Sequence, residues 1–290
     1  MKKVMNMTQD PQILKLEIRK RKKDLIFWGT SILAILIIFI FLCSKDSSVY
    51  LTLSSLTQML AFIIILLKVT NFESCSGLSV NSIICFIIML VCRSVVILFF
   101  SLDLYIANSF FYFLSEFTSI IICCYLLYLM YYKYSETSDI MIDNKIPFYY
   151  LAIPSFLLAI LFKPYLFRNW FGDLNWIYST FMEAIAIYPQ IILFLTKKRQ
   201  IEKFTSHYIA LQGLSTFFSF VFWVANFENI NDNDSLLLGG YCGYLVVLAQ
   251  ILQFIFIIDY YYLYLKTVFQ RSINLYCLFI LNYLLFVFKK

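Results

Sequence analysis

An all-α integral membrane bundle is the fold class this sequence predicts, and three observations carry the prediction. Of its 290 residues, 62% are hydrophobic and only 14% are charged. Mean hydropathy is +0.81. The apolar residues gather into runs of membrane-spanning length. A soluble domain of this size would need far more polar surface to cover its core, whereas lipid is itself the apolar solvent.

A spanning helix needs roughly 20 mostly apolar residues. Such runs lie near 25–43, 51–67, 81–100, 108–131, 146–162, 174–195, 207–226 and 236–265. Residues 1–24 form a basic segment ahead of the first run, ending in the cluster Arg19-Lys20-Arg21-Lys22-Lys23. No small-residue cleavage site follows that run, so 25–43 reads as a retained signal anchor. The last run is long enough to tilt or to overrun the membrane, and the tyrosines in 260–264 read as an interfacial aromatic belt. A further apolar run, 273–288, lies in the extension 272–290 and is compatible with a span, an interfacial segment or a fold-back.

The positive-inside bias orients these spans. With 19–23 cytosolic, the later cytosolic segments hold Lys68, Lys133, Lys145, Lys197, Lys198, Arg199, Lys203, Lys266 and Arg271. The opposite loops hold only Lys45, Lys163 and Arg168, with the acidic stretch "NFENINDND" at 226–234. The same assignment puts the glycosylation pattern Asn233-Asp234-Ser235 on the non-cytosolic side, close to the next span. The net charge of +6 is what this topology requires and gives no support for nucleic-acid binding. The eight cysteines sit mostly inside or beside apolar runs, with no disulfide framework and no metal-ligand spacing. No cofactor is implied. No Ser/His/Asp set, metal cluster or glycine-rich phosphate loop suggests an enzyme.

Ionisable residues inside the spans are the functional candidates, since a charge at the bilayer centre costs several kcal/mol. Four qualify: Arg93, Glu116, Glu183 and Asp259. They suit a shared polar cavity with Arg93 as the anion site and Glu183 as its partner. They equally suit mutual neutralisation that only fixes helix packing. The segment "EAIAIYPQII" (183–192) adds Pro189, which frees a backbone carbonyl, and Gln190, which can bond the freed groups or a ligand. This pair is the candidate hinge.

Several fragments recur in a distinctive order: "IIILLKVTNFESCSGLSVNS" (63–82), Arg93, "DLNWIYSTFMEAIAIYPQI" (173–191), "FTSHYIALQGL" (204–214), Trp223 and "AQILQFIFIIDYYYLYLKTVF" (249–269). Together they resemble the KDEL receptor family, the ER lumen protein retaining receptors. The resemblance covers about residues 51–271, and the added helix at 25–43 resembles the receptor-like branch with an extra N-terminal span. It implies a seven-helix bundle similar to SWEET and PQ-loop transporters, two three-helix repeats plus a linking helix. It also implies a luminal cavity for the C-terminal peptide of escaped ER proteins, binding that strengthens at acid pH, and Golgi-to-ER retrieval in coated vesicles. The partners implied are membrane lipid, that peptide, and a vesicle coat contacting the cytosolic basic loops. The location implied is the ER and Golgi membrane.

Carried onto this chain, the resemblance makes Arg93 the ligand for a terminal carboxylate, Glu183 a buried acid coupled to the pH response, Trp176 an aromatic lining residue and Asp173 an acid facing a ligand lysine. The departures matter as much. Two family arginines that pair ligand acids fall at Leu51 and Asn226, two cavity tyrosines at Ser215 and Ser219, an asparagine at Phe222 and an aspartate at Val96. The luminal histidine falls at Gln58, and His207, the single histidine, lies at the cytosolic end of its helix. Without the two cations, the acids of K-D-E-L would be buried without partners. Weak tail binding is therefore expected, and any acid switch must use carboxylates alone, Glu183 first among them. The alternatives are a small-molecule carrier and a scaffold without luminal ligand.

Overall fold

A computed structural model of the chain describes residues 48–100, 109–144, 146–163, 169–197, 203–230 and 241–258. The segment 1–24, the anchor 25–43, Asn233-Asp234-Ser235, Asp259 and the extension 272–290 lie outside the described residues. Helices form in the order α1 Ser48–Phe72, α2 Val80–Phe100, α3 Ser109–Tyr128, α4 Ile140–Asp143, α5 Tyr149–Leu161, α6 Trp170–Ala186, α7 Tyr188–Lys197, α8 Lys203–Ala225 and α9 Phe227–Ile230. A further helix, α10, covers Cys242–Ile258. No strand occurs among the described residues. The protein is an all-α membrane bundle.

Among the described residues, five stretches are long and apolar enough to cross a bilayer: Ser48–Phe72, Val80–Phe100, Phe110–Lys133, Trp170–Thr196 and His207–Ala225. The third includes a π-helical turn, Leu129–Lys133, that extends α3. The runs 146–162 and 236–265 contain the shorter helices Tyr149–Leu161 and Cys242–Ile258. At about 1.5 Å per residue, α5 reaches only about 20 Å, less than the roughly 30 Å hydrocarbon core.

Helix α3 packs between α1 and α2, α8 lies along α1, α6 along α2, and α5 on α6. Helix α10 meets α7 through the rings of Tyr188 and Phe256, 5.3 Å apart. It meets α8 through Phe220 and Phe254 at 5.5 Å.

Three features fix the connections. Gly77 adopts φ +80°, a left-handed conformation open to glycine, in the turn between α1 and α2. Asp143 caps the start of α2, accepting from Ser79 Oγ (2.6 Å), the Asn81 backbone N–H (2.8 Å) and Asn81 Nδ2 (3.0 Å). Burial pushes the Asp143 carboxyl above the ordinary aspartate range, and those donors oppose the shift. Asn169 caps α6, accepting from the Phe171 N–H at 3.0 Å.

The interior has two apolar ends. One cluster gathers Phe62, Phe86, Met89, Leu126, Met182, Tyr208 and Ile257. The other gathers Leu51, Val96, Tyr112, Trp176, Phe222 and Val246. Along each core helix, buried polar residues lie at or beside the junction of the two clusters: Ser54, Ser55 and Gln58 on α1, Arg93 on α2, Ser115 and Glu116 on α3, Thr180 and Glu183 on α6, Gln212, Ser215 and Ser219 on α8, Gln250 and Gln253 on α10. A polar layer therefore crosses the middle of the bundle. Hydrocarbon offers these groups no hydrogen bonds, so they must satisfy one another or hold polar guests.

Candidate functional site

The charged part of that layer centres on Arg93. Its Nη2 donates to Glu183 Oε2 at 2.7 Å, and its Nη1 reaches Glu116 Oε1 at 3.5 Å. The three residues are 4%, 2% and 0% exposed respectively. One guanidinium thus faces two carboxylates in an interior where charge is poorly screened. Arginine suits this place because it stays protonated and its planar fork can serve several oxygens. Glu116 Oε2 has no hydrogen-bond partner. Ser55 and Ser115 share a 2.6 Å hydrogen bond in the neighbouring turns of α1 and α3.

The remaining candidates lie along α6. Trp176 and Glu183 are seven residues apart, which puts them on one face about 10 Å apart along the axis. Trp176 is buried in the apolar cluster with Leu51, Val96 and Phe222. Asp173, in the first turn of α6, is fully buried and pairs with Lys163 Nζ at 3.7 Å. The structure thus brings Arg93 and Glu183 into direct contact and sets Trp176 and Asp173 farther toward the α6 start.

Pro189 and Gln190 belong to a different place. The helix breaks at Ile187, between α6 and α7. Ser82 Oγ donates to the Ala186 carbonyl at 2.6 Å, one of the backbone groups beside the break. Gln190 Nε2 donates to the Gly77 carbonyl at 2.8 Å, and its Oε1 accepts from the Ser79 N–H at 2.9 Å. The amide therefore fastens the α1–α2 connection. Two further bonds tie this end together, from the Gly77 N–H to Asp139 Oδ2 at 2.7 Å and from the Cys75 N–H to Thr137 Oγ1 at 3.0 Å. His207 precedes Tyr208, whose ring lies 6.2 Å from Phe62, so it belongs to this same apolar end.

Some members of the layer, Gln212, Gln250 and Gln253, were not singled out in the sequence. Glu116 was legible as a charge within a span, but its contact with Arg93 was not. Gln58 and Gln212 pair across α1 and α8 at 3.4 Å, and Ser54 and Ser215 at 3.0 Å. Gln250 and Gln253 are buried with unpartnered amide atoms. Their signal was present as two amides in an otherwise apolar run.

The profile of the ER lumen protein retaining receptor family matches residues 74–226. ER lumen protein-retaining receptor 3 of Mus musculus is 27% identical over 230 residues, covering 76% of this chain and 94% of that protein. The ER lumen protein-retaining receptor of Plasmodium falciparum is 26% identical over 218 residues, covering 74% and 90%. ER lumen protein-retaining receptor 2 of Bos taurus is 29% identical over 219 residues, covering 73% and 91%.

Proposed function

Because this chain belongs to the ER lumen protein retaining receptor family, we propose that it captures a free C-terminal carboxylate at Arg93 and serves the retrieval of luminal proteins from Golgi to ER. It would act as a multi-pass protein of those membranes, with its N-terminus cytosolic. The observation that carries this reading is a buried guanidinium in the polar layer, held by two carboxylates. A carboxylate ligand can replace one of those internal acids on the same fork of donors.

The internal acids set the terms of binding. A ligand carboxylate makes three anions around one cation, so capture is favoured when one of them takes a proton. Binding then strengthens as pH falls, with no histidine needed. Asp173 and Trp176 would contact the residues upstream of the carboxylate.

The α1–α2 end supports a receptor over a carrier. Buried Asp143, Asn81, Ser82 and Gln190 are all hydrogen-bonded there and an apolar cluster backs them. The unpartnered Glu116, Ser219 and Gln250 atoms lie instead in the polar layer. One-sided access is what a receptor needs, whereas an alternating carrier must break the whole Gln190 and Asp143 network each cycle. The two contact sets, α3 between α1 and α2 and α10 against both α7 and α8, fit two three-helix repeats joined by α5.

The pocket is diverged. Leu51 and Phe222 contribute hydrocarbon in the cluster beside Trp176, and Asn226 donates to its own helix at the Phe222 carbonyl. K-D-E-L tails should therefore bind weakly. The test is saturation binding of labelled C-terminal peptides to purified protein at acid and neutral pH. Binding that needs the free carboxylate and is lost in Arg93→Ala supports the reading. A ligand moved across vesicles without being retained would make the protein a carrier.

A further inference from the structure

We propose that Ser219, Gln250 and Gln253 form a neutral hydrogen-bonding subsite next to the Arg93 site. It selects carboxylate ligands whose preceding residues carry amide or hydroxyl side chains in place of acids. The inference rests on the carboxylate reading of Arg93 given above.

Gln250 is 0% exposed and Gln253 2%. Neither amide atom of Gln250 has a hydrogen-bond partner, nor has Gln253 Oε1 or Ser219 Oγ. A buried amide lacking partners is unfavourable in any protein and more so where the surrounding solvent is lipid. Leucine would fill the same space without that penalty. Several such groups together point to a polar guest.

Their placement brings them together. Cys242, Val246, Gln250, Gln253 and Ile257 recur at three- and four-residue spacing, so they form one face of α10. Cys242 and Val246 belong to the Trp176 cluster and Ile257 to the Phe62 cluster, which sets the two amides inside the polar layer. Phe254, beside Gln253, meets Phe220, beside Ser219, at 5.5 Å. Ser219 and Gln253 therefore sit at one depth on facing helices.

Charge decides the class of guest. Among the described residues, the ion-paired groups of this interior are Arg93 on α2, Glu116 on α3, Glu183 and Asp173 on α6, and Lys163 after α5. Among these described groups carboxylates exceed cations, so an acidic ligand side chain is repelled. The other described buried cation, Lys68, bonds the Ser76 carbonyl at the opposite end. A ligand amide instead offers one donor and one acceptor to groups that lack both.

The test uses full-length protein in lipid nanodiscs and fluorescein-labelled tetrapeptides ending in Asn-Gln-Leu or Asp-Glu-Leu, each with a free or an amidated C-terminus. Fluorescence polarisation should show the neutral free acid binding about tenfold tighter than the acidic one. Q250L should erase that ratio while the need for a free carboxylate remains. Its ligand-free unfolding temperature should equal or exceed the parent's, because an orphaned amide has been replaced by hydrocarbon. Equal or tighter binding of the acidic peptide overturns the proposal. So does an unchanged ratio in both Q250L and Q253L, which is what ordered water alone in the subsite would give. Carboxylate-dependent binding without neutral preference removes only this subsite. If free and amidated peptides bind alike, or neither binds, the Arg93 reading fails and the subsite with it.

Discussion

Arg93→Met is the most informative single change, because it strands two carboxylates in a place with no solvent to receive them. Glu183 lies 2.7 Å and Glu116 3.5 Å from the guanidinium, and all three side chains are at most 5% exposed. Removing one partner of a buried pair costs about 3–5 kcal/mol, since the remaining charge must stay unpaired or take a proton. Here the shared cation is lost to both acids, so the upper part of that range applies. At about 2–4 °C per kcal/mol for domains somewhat smaller than this chain, the thermal midpoint should fall by roughly 8–20 °C. The two carboxylates should not behave alike. Glu183→Gln removes the charge from the short pair and weakens its bond but leaves the Arg93–Glu116 pair, so it should cost about 1–3 kcal/mol. Glu116→Gln leaves the short pair intact and removes the excess negative charge, so it should be neutral or stabilising. Arg93→Met combined with Glu183→Gln should recover part of the loss, as coupled neighbours do. The assay is thermal unfolding of detergent-purified protein followed by intrinsic fluorescence. Equal losses for Glu116→Gln and Glu183→Gln, or a purely additive double variant, would refute the picture of one cation shared unequally.

Gln190→Ala should destabilise by about 1–3 kcal/mol, because it leaves the Gly77 carbonyl and Ser79 N–H without their side-chain partner. Hydrogen exchange should report that loss first in residues 73–79, ahead of the helices. Cys75, buried in the same connection, has its thiol pushed up to about 11 by desolvation, with Lys68 opposing. At neutral pH its thiolate is therefore scarcer by roughly a hundredfold than for an ordinary cysteine, and a water-soluble maleimide should label it only after unfolding. Reactivity should return as pH rises toward the shifted value, and fast labelling of native protein at neutral pH would contradict the burial. Lys163→Met should cost about 1 kcal/mol, since Asp173 is buried while Lys163 is partly exposed at 3.7 Å. Lys163→Arg should restore the loss.

Much of the architecture was legible in the chain because lipid imposes a simple code. Runs such as 81–100 and 207–226 announce spans, and the described helices Val80–Phe100 and His207–Ala225 fall on them within a few residues. Arg93 and Glu183 were equally visible, since charges in such runs are rare enough to stand out. The extent of α5 was less visible, because hydropathy marks where apolar residues lie and not where the chain turns. Gln190 was ambiguous for the same reason. An amide beside a helix break can serve a ligand or a distant backbone, and its bonds to Gly77 and Ser79 span more than a hundred residues.

By itself, then, the sequence determined that the protein is a membrane bundle, roughly where its helices run, and which few residues carry charge inside them. Those properties follow from local hydropathy, which each segment expresses without its neighbours. Only the tertiary structure decided that Arg93 is shared between Glu183 and Glu116, that Asp173 answers to Lys163, and that the glutamines of α1, α8 and α10 belong to one polar layer. Which partner a buried polar group finds depends on the depth and rotation of separate helices, and those are set by packing across the bundle.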